Sequence, residues 1–192
     1  MNREFLNEAI NLFDTSEKWD SFIELSNKRN EIKDTWYKSA KETINNFFLN
    51  DTVENWSFHS WGICDYKWYL EDFGKDSLCI CMQWNYIHLW VNPTIYNHKK
   101  IEAFLNTEKY STLLTFFRID EMFQHGWNLA VETGNFYFDS PYDGNFTDEK
   151  LTWYAGNKTE EFVNQIAEKV NRIRKNPELT ELLRELNEQC KL

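Results

Sequence analysis

Trp56-Ser57-Phe58-His59-Ser60-Trp61, followed by Cys64-Asp65-Tyr66-Lys67-Trp68-Tyr69-Leu70, decides the fold. Both stretches alternate residue by residue, as half-buried strands do. In the second, Cys64, Tyr66, Trp68 and Leu70 fall on one face, and Asp65, Lys67 and Tyr69 on the other. Asp72-Phe73-Gly74-Lys75-Asp76 makes a turn. Leu78 to Val91 is apolar with a break near Trp84-Asn85, which reads as two strands, and Asn92-Pro93-Thr94 ends the run.

The period is helical on the N-terminal side of this region. Phe5, Ala9, Ile10 and Phe13 mark a first helix, and Ser16 is placed to cap a second, with Trp19, Phe22, Ile23 and Leu25 as its stripe. A third spans about Glu31 to Leu49, through Trp36, Ala40, Ile44, Phe47 and Phe48. On the other side, Lys99 to Phe117 is helical with an interruption at Asn106-Thr107. Trp127–Val131 and Phe136–Phe138 read as strands, Ser140–Asn145 as a turn, and Leu151–Tyr154 as a last short strand. Thr159 is expected to cap a helix carrying Phe162, Val163, Ile166, Val170 and Ile173. Asn176-Pro177 starts another, with Leu179, Leu182, Leu183 and Leu186. The expected architecture is a single α+β domain, 1–192: helical over 1–50, strands with one inserted helix over 51–156, helical over 157–192. Its sheet is mostly antiparallel, with N-terminal and C-terminal helices packed on one face.

A chain of 192 residues can bury a core without staples. No apolar run of about 18 residues exists, so no membrane span is expected. Met1-Asn2-Arg3-Glu4-Phe5 does not read as a signal peptide. The expected location is therefore cytoplasmic, and Cys64, Cys79, Cys81 and Cys190 are expected to be reduced thiols.

The net charge is -10, and residues 51–98 and 127–156 carry -4 each. Seven of the nine Trp lie between Trp56 and Trp153. An acidic, aromatic face repels nucleic-acid phosphates and favours a basic protein partner or a metal ion. Trp and Tyr on such a face serve as interaction anchors.

Four groups of residues suggest chemistry. Asp65 and Lys67 share a strand face, where the acid can hold Mg²⁺ while the lysine polarises an attacking water; Asp51 or Glu54 would complete the metal site. With the order helix, strand, strand, strand, helix, strand over roughly residues 31–138, this pair resembles the PD-(D/E)XK nuclease core. The resemblance implies a metal-dependent nuclease, although no Pro-Asp pair precedes it and Asp65 stands where that family has Glu. Cys79-x-Cys81 with His88, and His59 or Cys64 as a fourth ligand, resembles a fragment of a zinc site. The spacing is not that of common zinc knuckles, and buried thiols are the better reading. His59, His88, His98 and His125 have no neighbour at a catalytic spacing. Asp139, Asp143, Asp148 and Glu149 cluster at a turn without EF-hand spacing, so turn formation explains them better than Ca²⁺.

Binding is thus expected over catalysis. The form expected is an acidic, aromatic-rich module of inhibitor or immunity type that covers a basic partner. The alternatives are the Mg²⁺-dependent nuclease using Asp65 and Lys67, and a small ligand such as a sugar stacking on an aromatic face.

Overall fold

The computed structural model describes residues 3–62, 65–83, 86–119, 128–132 and 148–192. Cys64, Trp84, Trp127 and the 133–147 stretch, with its expected strand, turn, Asp139 and Asp143, lie outside them.

Three helices open the chain: α1 (Arg3–Asn11), α2 (Ser16–Asn27) and α3 (Arg29–Asn50). A four-stranded meander follows, β1 (Trp56–Ser60), β2 (Asp65–Leu70), β3 (Cys79–Gln83) and β4 (Tyr86–Trp90). Helix α4 (His98–Leu105) leads to β5 (Phe117–Ile119) and β6 (Asn128–Glu132). Helices α5 (Asp148–Asn157), α6 (Thr159–Arg174) and α7 (Pro177–Gln189) complete the described chain. Among the described residues the strands form one six-stranded sheet in the order β1-β2-β3-β4-β6-β5, with each of these pairings antiparallel. The fold is α+β.

The alternation in the opening stretch sets the register. Phe58 lies opposite Trp68, Trp68 opposite Ile80, and Ile80 opposite Leu89. This row faces the helices: the Phe48 ring of α3 sits 5.1 Å from Phe58 and 4.9 Å from Trp68. The stripes of α6 (Phe162, Ile166, Val170) and α7 (Leu179, Leu183, Leu186) close over the same core. The next row, His59, Lys67, Cys81 and His88, is in register on the opposite face.

The starts of the helices follow local chemistry. Asn176 accepts from the N–H groups of Glu178 and Leu179, with Pro177 in the first turn of α7. Asn97 does the same for α4 through Lys100. Gly74 takes φ 80° in the β2–β3 turn, a conformation that favours glycine.

Four sequence readings change in detail. Leu151–Tyr154 is helical, within α5: Leu151, Tyr154 and Ala155 are buried on one helical face, and that burial overrides the β-preference of Thr-Trp-Tyr. α5 also approaches α3 so closely that a Cβ on Gly156 would lie 2.3 Å from the Trp36 ring. Thr159 does not cap α6. It is the first residue of that helix, and its hydroxyl donates to the Ala155 carbonyl at 2.7 Å. The cap of α2 is Thr15, not Ser16, accepting from the Lys18 N–H at 3.3 Å. α4 stops at Leu105, and two short 3₁₀ turns carry the chain to Phe117.

The fifth difference bears on function. The N-terminal share of the helical layer comes from α3, whose Tyr37, Ala40, Ile44 and Phe48 are buried, while α2 has no buried residue.

Candidate functional site

The outer face of the sheet is where the sequence places its chemistry. Lys67 stands at the centre of β2, between His59 on β1 and Cys81 on β3. Its side chain is folded into the protein, 8% exposed. The ammonium lies 3.3 Å from the centroid of the Trp90 ring and 5.0 Å from that of Trp61, and it donates to the Lys75 carbonyl at 3.5 Å. Two indole faces and a carbonyl thus hold the charge, an arrangement worth about 2 kcal/mol when desolvated. The lysine is occupied by the fold and is not presented to a phosphate.

Asp65 shares the face of Lys67, as expected, and lies opposite Gln83. Burial pushes its carboxyl above the usual range, against the hydrogen bond from Gln83 and the charge of Lys41. Its carboxylate packs onto Gly62, where an added Cβ would meet it at 1.8 Å. Lys41 ties this end of β1 to α3 by donating to the carbonyls of Trp61, at 2.8 Å, and Gly62.

Asp51 and Glu54 do not join this group. Both precede the first residue of β1, whereas Asp65 pairs with Trp61 beyond its last, a separation of roughly 16 Å along the strand. Asp51 is engaged on the helical side. It accepts from Asn171 at 3.0 Å and forms ion pairs at 3.5 Å with Arg174 and with Lys175. Burial raises its carboxyl, but the Asn171 hydrogen bond and the Lys175 and Arg174 charges outweigh that and hold it below the usual carboxylate range. Among the described residues no three His, Cys, Asp or Glu side chains gather as a metal would require.

The two cysteines of β3 are likewise taken up by the fold. Cys79 and Cys81 are buried free thiols, as is Cys190. Burial pushes Cys79 up to about 12 and raises Cys81 too. A nucleophilic cysteine needs the opposite shift. His88 lies opposite Cys81, whereas Lys67 separates Cys81 from His59 in the register; Cys64 lies outside the described residues. Burial, then the Lys75 and Lys67 charges, hold His59 below the usual histidine range.

The expected acidic aromatic patch is not on this face among the described residues. Trp56 and Trp68 are buried, and Trp61, Trp90 and Trp153 are half-buried. Two of the acids in the acidic segments are paired with bases from elsewhere, Asp72 with Arg184 at 2.9 Å and Glu149 of α5 with Arg29.

Most of the exposed large apolar side chains among the described residues lie along α1, α2 and the turn between them, with Leu49 and Leu192 exposed elsewhere. Leu6, Ile10, Leu12, Trp19, Phe22, Ile23 and Leu25 are 42% to 67% exposed. Phe13, Trp19 and Phe22 form a small ring cluster, with centroids 4.7 to 5.6 Å apart. Large apolar side chains exposed together in this way mark a candidate interaction site. It is also acidic: residues 1–28 hold six acids and three bases, net -3. On α2 the acids Glu17, Asp20 and Glu24 recur at helical spacing, all exposed. The α2 stripe was legible in the sequence, but its spacing is that of any core helix.

No helix among the described residues is long and apolar enough to cross a membrane. Comparison with models of known protein families, with curated proteins and with solved structures finds no match.

Proposed function

We propose that this chain is an acidic, aromatic-rich binding module of inhibitor or immunity type that covers a basic protein partner, with α1 and α2 as its contact arm. The observation that carries the reading is α2 itself. Its Trp19, Phe22, Ile23 and Leu25 form an apolar stripe, yet none is buried. A fold that buries the stripes of α6 and α7 completely leaves this one in water. The acids along α2 would speed encounter with a basic surface, and the aromatic residues would hold the complex.

The test is affinity capture from a cell lysate, comparing the wild type with Trp19→Glu/Phe22→Glu/Leu25→Glu. The expected result is a set of basic proteins retained by the wild type alone. Retention should weaken between 0.1 and 1 M salt, as the Debye length falls from ~10 to ~3 Å. Equal capture by the variant, or a captured set without basic proteins, refutes the reading.

A further inference from the structure

Among the described residues, the edge of the sheet at β1 is left without a partner strand. The order β1-β2-β3-β4-β6-β5 puts β1 at one end and β5 at the other. β5 is only three residues long. β1 is five, Trp56-Ser57-Phe58-His59-Ser60, with no Lys, Arg, Asp, Glu or Pro, and its register to β2 runs without a bulge. Edge strands are ordinarily kept from further pairing by such residues, by bulges or by shortness. The direction of the β1 backbone groups follows from its pairing with β2. The Trp61 N–H donates to the Asp65 carbonyl at 3.2 Å, and the Glu71 N–H to the Asn55 carbonyl at 3.0 Å. Hydrogen-bonded positions alternate along an antiparallel pair. Asn55, Ser57, His59 and Trp61 therefore turn N–H and C=O toward β2, and Trp56, Phe58 and Ser60 turn theirs away. The Trp56 N–H is taken by the Val53 carbonyl at 3.0 Å. Those of Phe58 and Ser60 meet no backbone partner among the described residues.

We propose that β1 pairs antiparallel with β1 of a second copy of this chain, joining the two sheets across a two-fold axis at His59. The outward N–H and C=O groups of Phe58 in each copy then bond to those of Ser60 in the other. This register sets large against small in both rows. On the helix side Phe58 faces Ser60 of the second copy, and on the outer side Trp61 faces its Ser57. The serines leave room for the rings of Phe58 and Trp61, which are half-buried in the single chain. The pairing also closes on itself at two copies, whereas β1 against β5 would leave a free strand at each end and continue as a polymer. Strands this short bury less area than a permanent interface does, which sets the expected dissociation constant at roughly 10–100 µM. No residue of α1 or α2 takes part, so this pairing and the basic-partner reading stand or fall separately.

Sedimentation equilibrium of the full chain from about 5 to about 500 µM should show a monomer–dimer equilibrium. It should tighten with salt, since each copy is net -10. Ser60→Pro removes an outward N–H at a place where an edge strand tolerates proline, and it should weaken association about tenfold or more. Ser60→Ala keeps that N–H and should associate like the wild type. His59→Cys sets a thiol against its counterpart across the axis, where the Cα atoms of a non-hydrogen-bonded pair lie about 4.5 Å apart. With copper-phenanthroline as oxidant it should cross-link to a dimer beyond any level seen for the wild type. A monomer over the whole range overturns the pairing. A dimer that Ser60→Pro leaves intact, or in which His59→Cys does not cross-link, places the interface elsewhere and overturns it too. Growth beyond the dimer points to β1 against β5 and has the same consequence. If circular dichroism shows that Ser60→Pro does not fold, the His59→Cys cross-link decides alone.

Discussion

Asp51→Ala separates the structural role of this carboxylate from the metal role its sequence position suggested. The Arg174 side chain is 2% exposed and that of Asp51 21%. Arg174 also donates to the Asp51 carbonyl at 3.0 Å and to Asn171 Oδ1 at 3.1 Å, and it lies 5.6 Å from the Phe48 ring. Removing one member of a fully buried pair costs about 3–5 kcal/mol. Asp51 retains some water, and Arg174 keeps its other partners, so the expected loss is about 2 kcal/mol. For a chain of this size that lowers Tm by about 4–8 °C. Asp51→Ala/Arg174→Met should recover to within about 1 kcal/mol of wild type, because an apolar replacement no longer buries an unpaired charge. Urea and thermal unfolding followed by circular dichroism read both. The net shift of Asp51 is downward, so its stabilisation is present above the unfolded value of about 3.9 and is lost as pH falls through the folded value. The gap between wild type and Asp51→Ala should therefore be constant near neutrality and close in acid. If Asp51→Ala is as stable as wild type, or the double variant is no better than the single, the reasoning fails. A Tm raised by millimolar Mg²⁺ in the wild type and not in Asp51→Ala would return Asp51 to metal binding.

The two aromatic populations should respond differently to truncation. Phe48→Ala, in the core, should cost about 3–5 kcal/mol, whereas Phe22→Ala on the arm should cost about 1 kcal/mol or less, its loss being that of ring contacts at a half-exposed site; urea unfolding decides. His59 should titrate below 6.5 in an NMR pH series, because burial and the neighbouring Lys75 and Lys67 charges disfavour its imidazolium. Since its folded value is depressed, the contribution is present above 6.5 and is lost as pH falls through the folded value, so His59→Gln should reduce acid sensitivity in that window. Cys79, pushed up to about 12, should not react with iodoacetamide in the native protein at pH 8 and should react once urea unfolds it, as read by mass spectrometry.

The strands were legible because one face of each is packed against helices. The row Phe58, Trp68, Ile80, Leu89 packs against the helices and alternates with His59, Lys67, Cys81, His88, so the register is fixed by which row meets the helices. The stripes of α6 and α7 were legible for the same reason. Leu151–Tyr154 was not, because its Thr-Trp-Tyr favours a strand locally, and what makes it helical is remote. Its partner is α3, approached through Gly156 against Trp36, and no sequence window contains both. The Asp65–Lys67 pair was read correctly as sharing a face. That the lysine would lie between Trp61 and Trp90 could not be read, because the rings come from a strand end and from a strand two places away.

The surface was the least legible part, for a reason that the arm makes clear. Trp19, Phe22 and Ile23 have the spacing of Val163, Ile166 and Ala167, and periodicity alone assigns both to a core. The difference is competition for partners. A single residue, Lys28, separates α2 from α3, so α2 can only pack where α3 has surface left. That surface is already taken: Phe48 is against the sheet, Trp36 against α5 at Gly156, and the C-terminal end is pinned by Asp51 to Arg174 and Lys175. The same competition moves charge. Asp51, Asp72 and Glu149 draw bases from α6, α7 and α3, so part of the acidity of these segments is neutralised within the fold. The stripe of α2 is one that the rest of the fold leaves exposed, with the acids of the helix on its far side, and that exposure is what supports a proposed contact surface on the arm and not on the face of the sheet.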